Sequence, residues 1–420
     1  MSVRALLLAC EFPPSPSPQS LRWGYLGREL LRQGIDLRVV APQPADAPGT
    51  DWGPGAPVTR TWPGPFAGTL LALGRKPVPR RTDDAGAAAT LNWKGRLVEA
   101  VQAGAEAVLF PDIRREWNPW ARRALRRILA TARPDVVVTS HEPASVLLLG
   151  AIATAHGIPW VADLGDPVLA PYTPAVWRER ALALERKVCT EAAVVTVTSA
   201  ATRDLLLRRH AIPESRVRVV TQGFEPEGAA PSAHDRDDGL LDLLYTGSFY
   251  AFRRPDALLE AVARSPGVRL TLHSRQVPGR VVDASRRHPD RIVVAGPCPH
   301  PEILRRQRQA DVLVDLGNAG GSCQVPGKVY EYLGAGRPVL HVGEPGSETA
   351  ALIASLRRGW SCDADPTPLA ALLAGLARDK REGRLTAGLD LGAAAVARYS
   401  WPNLGEDMAA ILRAAASADA

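Results

Sequence analysis

Cysteine is scarce in this chain. Five are scattered over 420 residues, at Cys10, Cys189, Cys298, Cys323 and Cys362, with no C-x-x-C spacing. An odd, dispersed set argues against a disulfide framework or a zinc site, and for a reducing compartment, the cytoplasm. Long apolar runs are also missing. The longest, ASVLLLGAIATA at 144–155, is too short to span a bilayer. The opening run ALLLAC ends at once on Glu11 and Pro13 and carries no small-residue cleavage site, so it reads as a first strand rather than a leader. Lysine occurs only at Lys76, Lys94, Lys187, Lys328 and Lys380, so arginine supplies nearly all the positive charge behind a net +7. That excess suits an anionic substrate or surface, but a general preference for arginine explains it as well, and no nucleic-acid partner is expected. What is present, 46% hydrophobic and 23% charged residues, is enough for a soluble chain of two domains.

Short Val/Leu/Ile runs alternate with amphipathic segments. ALLLAC (5–10), DLRVVAP (36–42), DVVVTS (135–140), PWVADL (159–164) and AVVTVTS (193–199) have the composition of buried parallel strands. SLRWGYLGRELLRQG (20–34) reads as a helix closed by Gly34. The pattern breaks at GFEPEGAAPSAHDRDDG (223–239) and resumes with LDLLYTG, VRLTLHS, RIVVAG, DVLVDL and RPVLHVG between 241 and 343. The fold class is therefore α/β, with two doubly wound domains: 1–222 and 223–399. A helix at about 400–420 could cross back to the first domain. Residues 43–90, rich in Pro, Gly and Trp, read as loops and short pieces. In 114–130, Trp117, Trp120, Ala124, Leu125, Ile128 and Leu129 form one stripe while Arg122, Arg123, Arg126 and Arg127 lie off it. Such a helix packs on a sheet with its basic face in water, or rests on an anionic membrane as a peripheral contact.

The chemistry concentrates in VPGKVYEYLGAGRPVL (325–340), preceded by GNAGGSCQ (317–324). Glycines ahead of a helix N-terminus let backbone N–H groups approach an anion. Lys328 sits in the first turn, where the helix dipole disfavours a cation, so a negative ligand is expected beside it. Glu331 lies three residues on, on the same face, and could accept hydrogen bonds from vicinal hydroxyls. A Lys–Glu pair at this spacing is also common on plain surfaces. In YTGSFYAFRRPDALLEAV (245–262), Gly247 permits close backbone approach, and Arg253 and Arg254 follow a strand's C-terminal end, where doubly wound sheets bind ligands. A solvated arginine pair is the plainer reading.

The series TGSFYAFRR, AGPCPHPEILRRQRQADVLVDL and VPGKVYEYLGAGRPVL resembles the donor domain of GT-B glycosyltransferases, specifically the large retaining family 4. EFPPSPSPQSLRWGYLGRELLRQGIDLRVVAP, RPDVVVTSHEPAS, GIPWVADLGDP and RVRVVTQGFEPE resemble its acceptor domain and hinge. The resemblance covers most of the chain and is least clear over 43–110. It implies two Rossmann-like domains facing a cleft, and transfer of a sugar from a nucleotide-sugar donor such as a UDP-sugar to a hydroxyl acceptor. That acceptor could be a glycan, a lipid-linked intermediate or a small metabolite. The resemblance puts the ribose-binding glutamate on Glu331, the diphosphate-binding cations on Lys328 and Arg253 or Arg254, and the base near Pro299 and His300. Gly320, Gly321, Ser322 and Cys323 would cover the sugar and diphosphate.

Cys323 stands where the family's E-x7-E pattern has its first glutamate, and PPSPSPQS (13–20) replaces the family's Gly-Gly loop. On the acceptor side the residues are Asp163 and Asp166, in VADLGDP, and His141. A turn aspartate and a core-edge histidine are the plainer readings of the last two. The motifs hold no carboxylate pair with metal-ligand spacing, so neither metal nor cofactor is expected, the donor being the substrate. A noncatalytic nucleotide-sugar binder and a sugar-nucleotide epimerase remain as alternatives.

Overall fold

The computed structural model describes residues 2–15, 17–44, 53–72, 109–226, 239–249, 253–318 and 324–417. Two compact units are present. One runs to Gln222 and resumes at Trp401; the other is Gly223–Ser400.

In the first unit the strands are β1 (Arg4–Ala9), β2 (Asp36–Pro42), β3 (Val58–Thr61), β4 (Val136–Ser140), β5 (Trp160–Leu164), β6 (Val194–Val197) and β7 (Val217–Val219). They form one parallel sheet in the order β3-β2-β1-β4-β5-β6-β7. Leu7 faces Val39 on one side and Val138 on the other; Val138 faces Val161, and Val161 faces Val194. Covered on both faces, such strands have no reason to alternate polar residues, which is why they read as unbroken apolar runs. The Pro18–Arg32 helix buries Trp23, Leu26 and Leu30 against the sheet, and the Trp401–Ser417 helix shares that core through Leu404, Met408 and Leu412. On the opposite face the Asn118–Thr131 helix buries Ala121, Leu125 and Leu129. Its arginines 122, 123, 126 and 127 face solvent, as a solvated basic face requires.

The second unit holds β8 (Leu241–Thr246), β9 (Val268–His273), β10 (Ile292–Val294), β11 (Val312–Leu316), β12 (Val339–Val342) and β13 (Gly359–Cys362). Their order is β10-β9-β8-β11-β12-β13, all parallel. The order reverses between β8 and β11, the switch point at which an open α/β sheet presents a crevice beyond its strand ends. No described helix is long and apolar enough to cross a membrane.

The helix of the lysine motif is only Gly327–Gly334, eight residues. Alone it would not hold in water. Burial of Val329, Tyr330, Tyr332 and Leu333 holds it here. Gly334 is required by packing, because a Cβ there would come within 2.4 Å of the Phe224 ring.

Candidate functional site

Lys328 is placed at the switch point of the second sheet. Its Nζ lies 4.0 Å from the centroid of the Tyr245 ring, near the end of β8, and 3.2 Å from Asp315 Oδ1 on β11. The ring face and the carboxylate both favour a cation there. The helix is pinned to the strand end by Tyr332, whose hydroxyl accepts from the Thr246 main-chain N–H at 3.0 Å and lies 2.9 Å from Thr246 Oγ1. That contact fixes Lys328 and Glu331 together. Burial pushes the Lys328 ammonium down to about 8; Asp315 works against the shift and Arg253 adds to it. Burial alone would raise the Asp315 carboxyl, but Lys328, His341 and Arg253 together outweigh it and hold the group below its ordinary value.

Arg253 donates from Nε to Asn318 Oδ1 at 3.0 Å, joining the segments that follow β8 and β11. Arg254 is exposed. Gly247 has φ +123°, and a Cβ on it would sit 3.5 Å from the Lys328 side chain. Gly320, Gly321, Ser322 and Cys323 lie outside the described residues.

Glu331 and His300, read separately in the sequence, are in contact. His300 Nε2 lies 2.9 Å from Glu331 Oε1, and Gln307 Nε2 donates to Glu331 Oε2 at 3.3 Å. His300 opens the His300–Gln309 helix, with exposed Pro299 as its N-cap. Burial would lower the His300 imidazole, but Glu331 outweighs it and the net shift is upward. Each carboxylate oxygen has lone pairs left for a further donor. Gln307 carried no signal beyond its place on a helix.

In the first unit, Asp163 is fully buried on β5. Arg22 donates to it from Nε at 3.0 Å and from Nη2 at 2.9 Å, and Thr196 Oγ1 donates at 2.7 Å. Arg22 also reaches the carbonyls of Val220 and Thr221. The side chain expected to meet an acceptor is instead the inner partner of an ion pair. Only a partner from a distant helix could reveal this, and Arg22 sits among other arginines in the sequence. His141 follows β4 and is also buried, its Nδ1 without a hydrogen-bond partner. Burial lowers its imidazole, with Asp166, Asp163 and Glu185 opposing.

Asp166 Oδ2 accepts from the Tyr172 hydroxyl at 2.5 Å. Beside it, the Glu142 carboxyl is raised well above its ordinary value, first by desolvation, although part of the residue stays exposed, then by the charge and hydrogen bond of Asp166. Glu142 and Tyr172 were not singled out in the sequence; Glu142 adjoins His141 and could have been. Burial raises the thiols of Cys10 and Cys189, the latter to about 12, so neither is a ready nucleophile. Among the described residues no group of three or more His, Cys, Asp or Glu side chains could hold a metal ion.

Residues 22–227 match the family model described as Glycosyltransferase Family 4. HepE of Anabaena, solved in complex with UDP, is similar in structure at a TM-score of 0.64 and 14% identity, covering 99% of this chain and 100% of that one. WaaG, a glycosyltransferase involved in lipopolysaccharide biosynthesis, gives 0.59 and 15% over 98% and 99%. The lipopolysaccharide outer core galactosyltransferase WaaB in its apo form gives 0.60 and 12% over 98% and 100%. At such identities the likeness shows the fold, which is that of the GT-B glycosyltransferases. No curated protein sequence matches the chain.

Proposed function

We propose that this chain is a glycosyltransferase. It moves a sugar from a nucleoside diphosphate donor to a hydroxyl acceptor, with retention of anomeric configuration and without a metal. The observation that carries this reading is the pairing, at one switch point, of a buried ammonium with a carboxylate one helical turn away: Lys328 over Tyr245, and Glu331 against His300. The match to Glycosyltransferase Family 4 over 22–227 and the UDP held by HepE support it. In this reading Lys328 and Arg253, with Arg254 beside them, meet the diphosphate. Glu331 accepts from the ribose hydroxyls, the base lies near Pro299 and His300, Gly247 admits the phosphates to the backbone, and residues 320–323 cover the sugar.

The anomeric carbon–oxygen bond to the diphosphate breaks, and the acceptor oxygen bonds to that carbon from the same face. The acceptor's proton passes to a leaving phosphate oxygen. Charge grows on the leaving group, and each fixed cation in a dry site is worth about 3 kcal/mol at that moment. Asp166 and His141 are assigned to the acceptor side. The acceptor is a glycan, a lipid-linked intermediate or a small metabolite.

The test is a thermal-shift screen over UDP-, GDP-, ADP- and dTDP-sugars, followed by turnover with a mixed donor panel. Stabilisation by one donor, with transfer or slow donor hydrolysis, is expected. Binding without either marks a noncatalytic binder, sugar isomerisation marks an epimerase, and no binding at all overturns the reading.

A further inference from the structure

Lys328 is served by more than one neighbour. Asp315, fully buried on β11, places Oδ1 3.2 Å from Lys328 Nζ. Its other oxygen lies 2.9 Å from His341 Nδ1 on β12, and His341 Nε2 lies 3.0 Å from Ser347 Oγ. Ser347 is the N-cap of the Glu348–Ser355 helix, and its Oγ accepts the Ala350 main-chain N–H at 3.2 Å. The directions along this chain are consistent. A carboxylate can only accept, so Asp315 takes the Nδ1–H of His341, and in that neutral tautomer Nε2 is left to accept the Ser347 hydroxyl proton. Asp315 thus keeps Oδ1 alone for the lysine. The imidazole is wedged between two glycines: a Cβ on Gly317 would lie 3.1 Å from the ring, and one on Gly343 2.9 Å.

The lysine end of the chain is unfinished. Nζ of Lys328 and Oδ1 of Asp315 are both buried, and despite their approach neither has a partner in hydrogen-bond geometry. Buried polar atoms are normally satisfied, and an ammonium with three donors that meets only this one carboxylate oxygen has N–H groups left for a ligand. A depression lined by Asn318, Gln324, Glu344 and Thr349 opens beside Asp315 and His341.

We propose that Asp315 and His341 are positioning residues: they hold the Lys328 ammonium in place and keep it charged, with its N–H donors unspent, for the phosphate oxygens of a nucleoside diphosphate. This rests on the glycosyl-transfer reading and adds two residues to it. A carboxylate beside a diphosphate repels it, so Asp315 is tolerated there only for what it does to the lysine. The charged or titratable groups facing Lys328 are Asp315 from β11, Tyr245 from β8, Tyr332 from its own helix, and Arg253. Of these Asp315 is the one negative charge that sustains the ammonium against burial, with the Tyr245 ring face beside it. Affinity for the diphosphate therefore holds below about pH 8 and falls about tenfold per pH unit above it, as the lysine loses its proton.

The experiment measures binding of UDP, GDP, ADP and dTDP by calorimetry from pH 5.5 to 9.5 in wild type, Asp315→Asn, His341→Ala and His341→Asn. Reading each variant against wild type at the same pH cancels the phosphate's own titration. In Asp315→Asn the pH midpoint moves down by about 1 to 3 units, the effect of removing one close counter-charge. Its acid plateau equals or exceeds that of wild type, because the repelling carboxylate is gone. His341→Ala moves the midpoint the same way by less, and His341→Asn, which keeps a donor near the Nδ1 position, restores part of it. A merely structural role lowers the plateau and leaves the midpoint in place, and that result overturns the inference. If wild type binds none of the four nucleotides, it is the glycosyl-transfer reading that falls.

Discussion

His300 Nε2 lies 2.9 Å from Glu331 Oε1, so the residue at the start of one helix braces the carboxylate of the next. Hydrogen bonds to a charged group are worth about 1.5–3 kcal/mol, and contacts to a ribose persist from ground to transition state. Glu331→Ala is therefore expected to weaken nucleotide binding about 10- to 100-fold while changing kcat much less, as calorimetry and saturation kinetics would show. The same substitution removes what raises the His300 imidazole, so its NMR titration should move to lower pH. In wild type the imidazolium side of the pair is present below the ordinary histidine range and is lost as pH rises through the raised His300 value. Unchanged nucleotide affinity would exclude the ribose role.

Lys328→Ala is expected to reduce transfer by about 100-fold or more, because a leaving-group cation acts chiefly in the transition state. The lysine stands where the helix dipole opposes it and burial costs it, so its place is explained by what it binds. A variant that folds and turns over at near-normal kcat would remove Lys328 from the site.

Transfer is expected to survive EDTA. The described residues offer no cluster of metal-ligating side chains, and in the proposed reading Lys328 and the arginines supply the positive charge that a metal would. Complete loss of activity that Mg²⁺ or Mn²⁺ restores would contradict this.

Arg22 and Asp163 are both fully buried, and their bidentate contact ties the Pro18–Arg32 helix to β5. Removing one partner of such a pair strands the other charge, at a cost of about 3–5 kcal/mol. Asp163→Ala should lose that much stability in denaturant melts and leave nucleotide binding unchanged. A variant as stable as wild type, but deficient in transfer, would return Asp163 to the acceptor side.

Much of the fold was legible because parallel strands buried on both faces write themselves as apolar runs. DLRVVAP is β2, residue for residue, and DVLVDL contains β11. The strands not read were β3 (VTRT), β7 (VRV) and β13 (GWSC), short edge or near-edge pieces with polar residues or glycine. Lys328 and Glu331 stood out because one helical turn relates them. Asp315 and His341 did not, since they belong to strands whose register no local spacing reveals; inside VLVDL and VLHV they look like interruptions of a core. Asp163 failed as a surface candidate for the same reason: its partner lies 141 residues away.

Asp166 follows β5 and accepts from the Tyr172 hydroxyl at 2.5 Å, while the neighbouring Glu142 carboxyl is held well above its ordinary value. The Asp166 carboxyl, the Glu142 carboxyl it helps to raise and the Tyr172 hydroxyl make a set of adjacent polar groups, the combination that orients an alcohol. Orientation of that kind can be worth several kcal/mol when the reacting oxygen must approach along one line. Asp166→Asn keeps the shape and loses the charge. It is expected to fold, to bind the nucleotide sugar as wild type does, and to transfer at least about tenfold more slowly, with the loss in kcat or acceptor KM and none in donor KM. Tyr172→Phe removes one hydrogen bond and leaves the charge, so its effect on transfer should be smaller. If Asp166→Asn instead transfers normally and melts at a lower temperature, Asp166 is a turn residue braced by Tyr172, and the acceptor is oriented elsewhere.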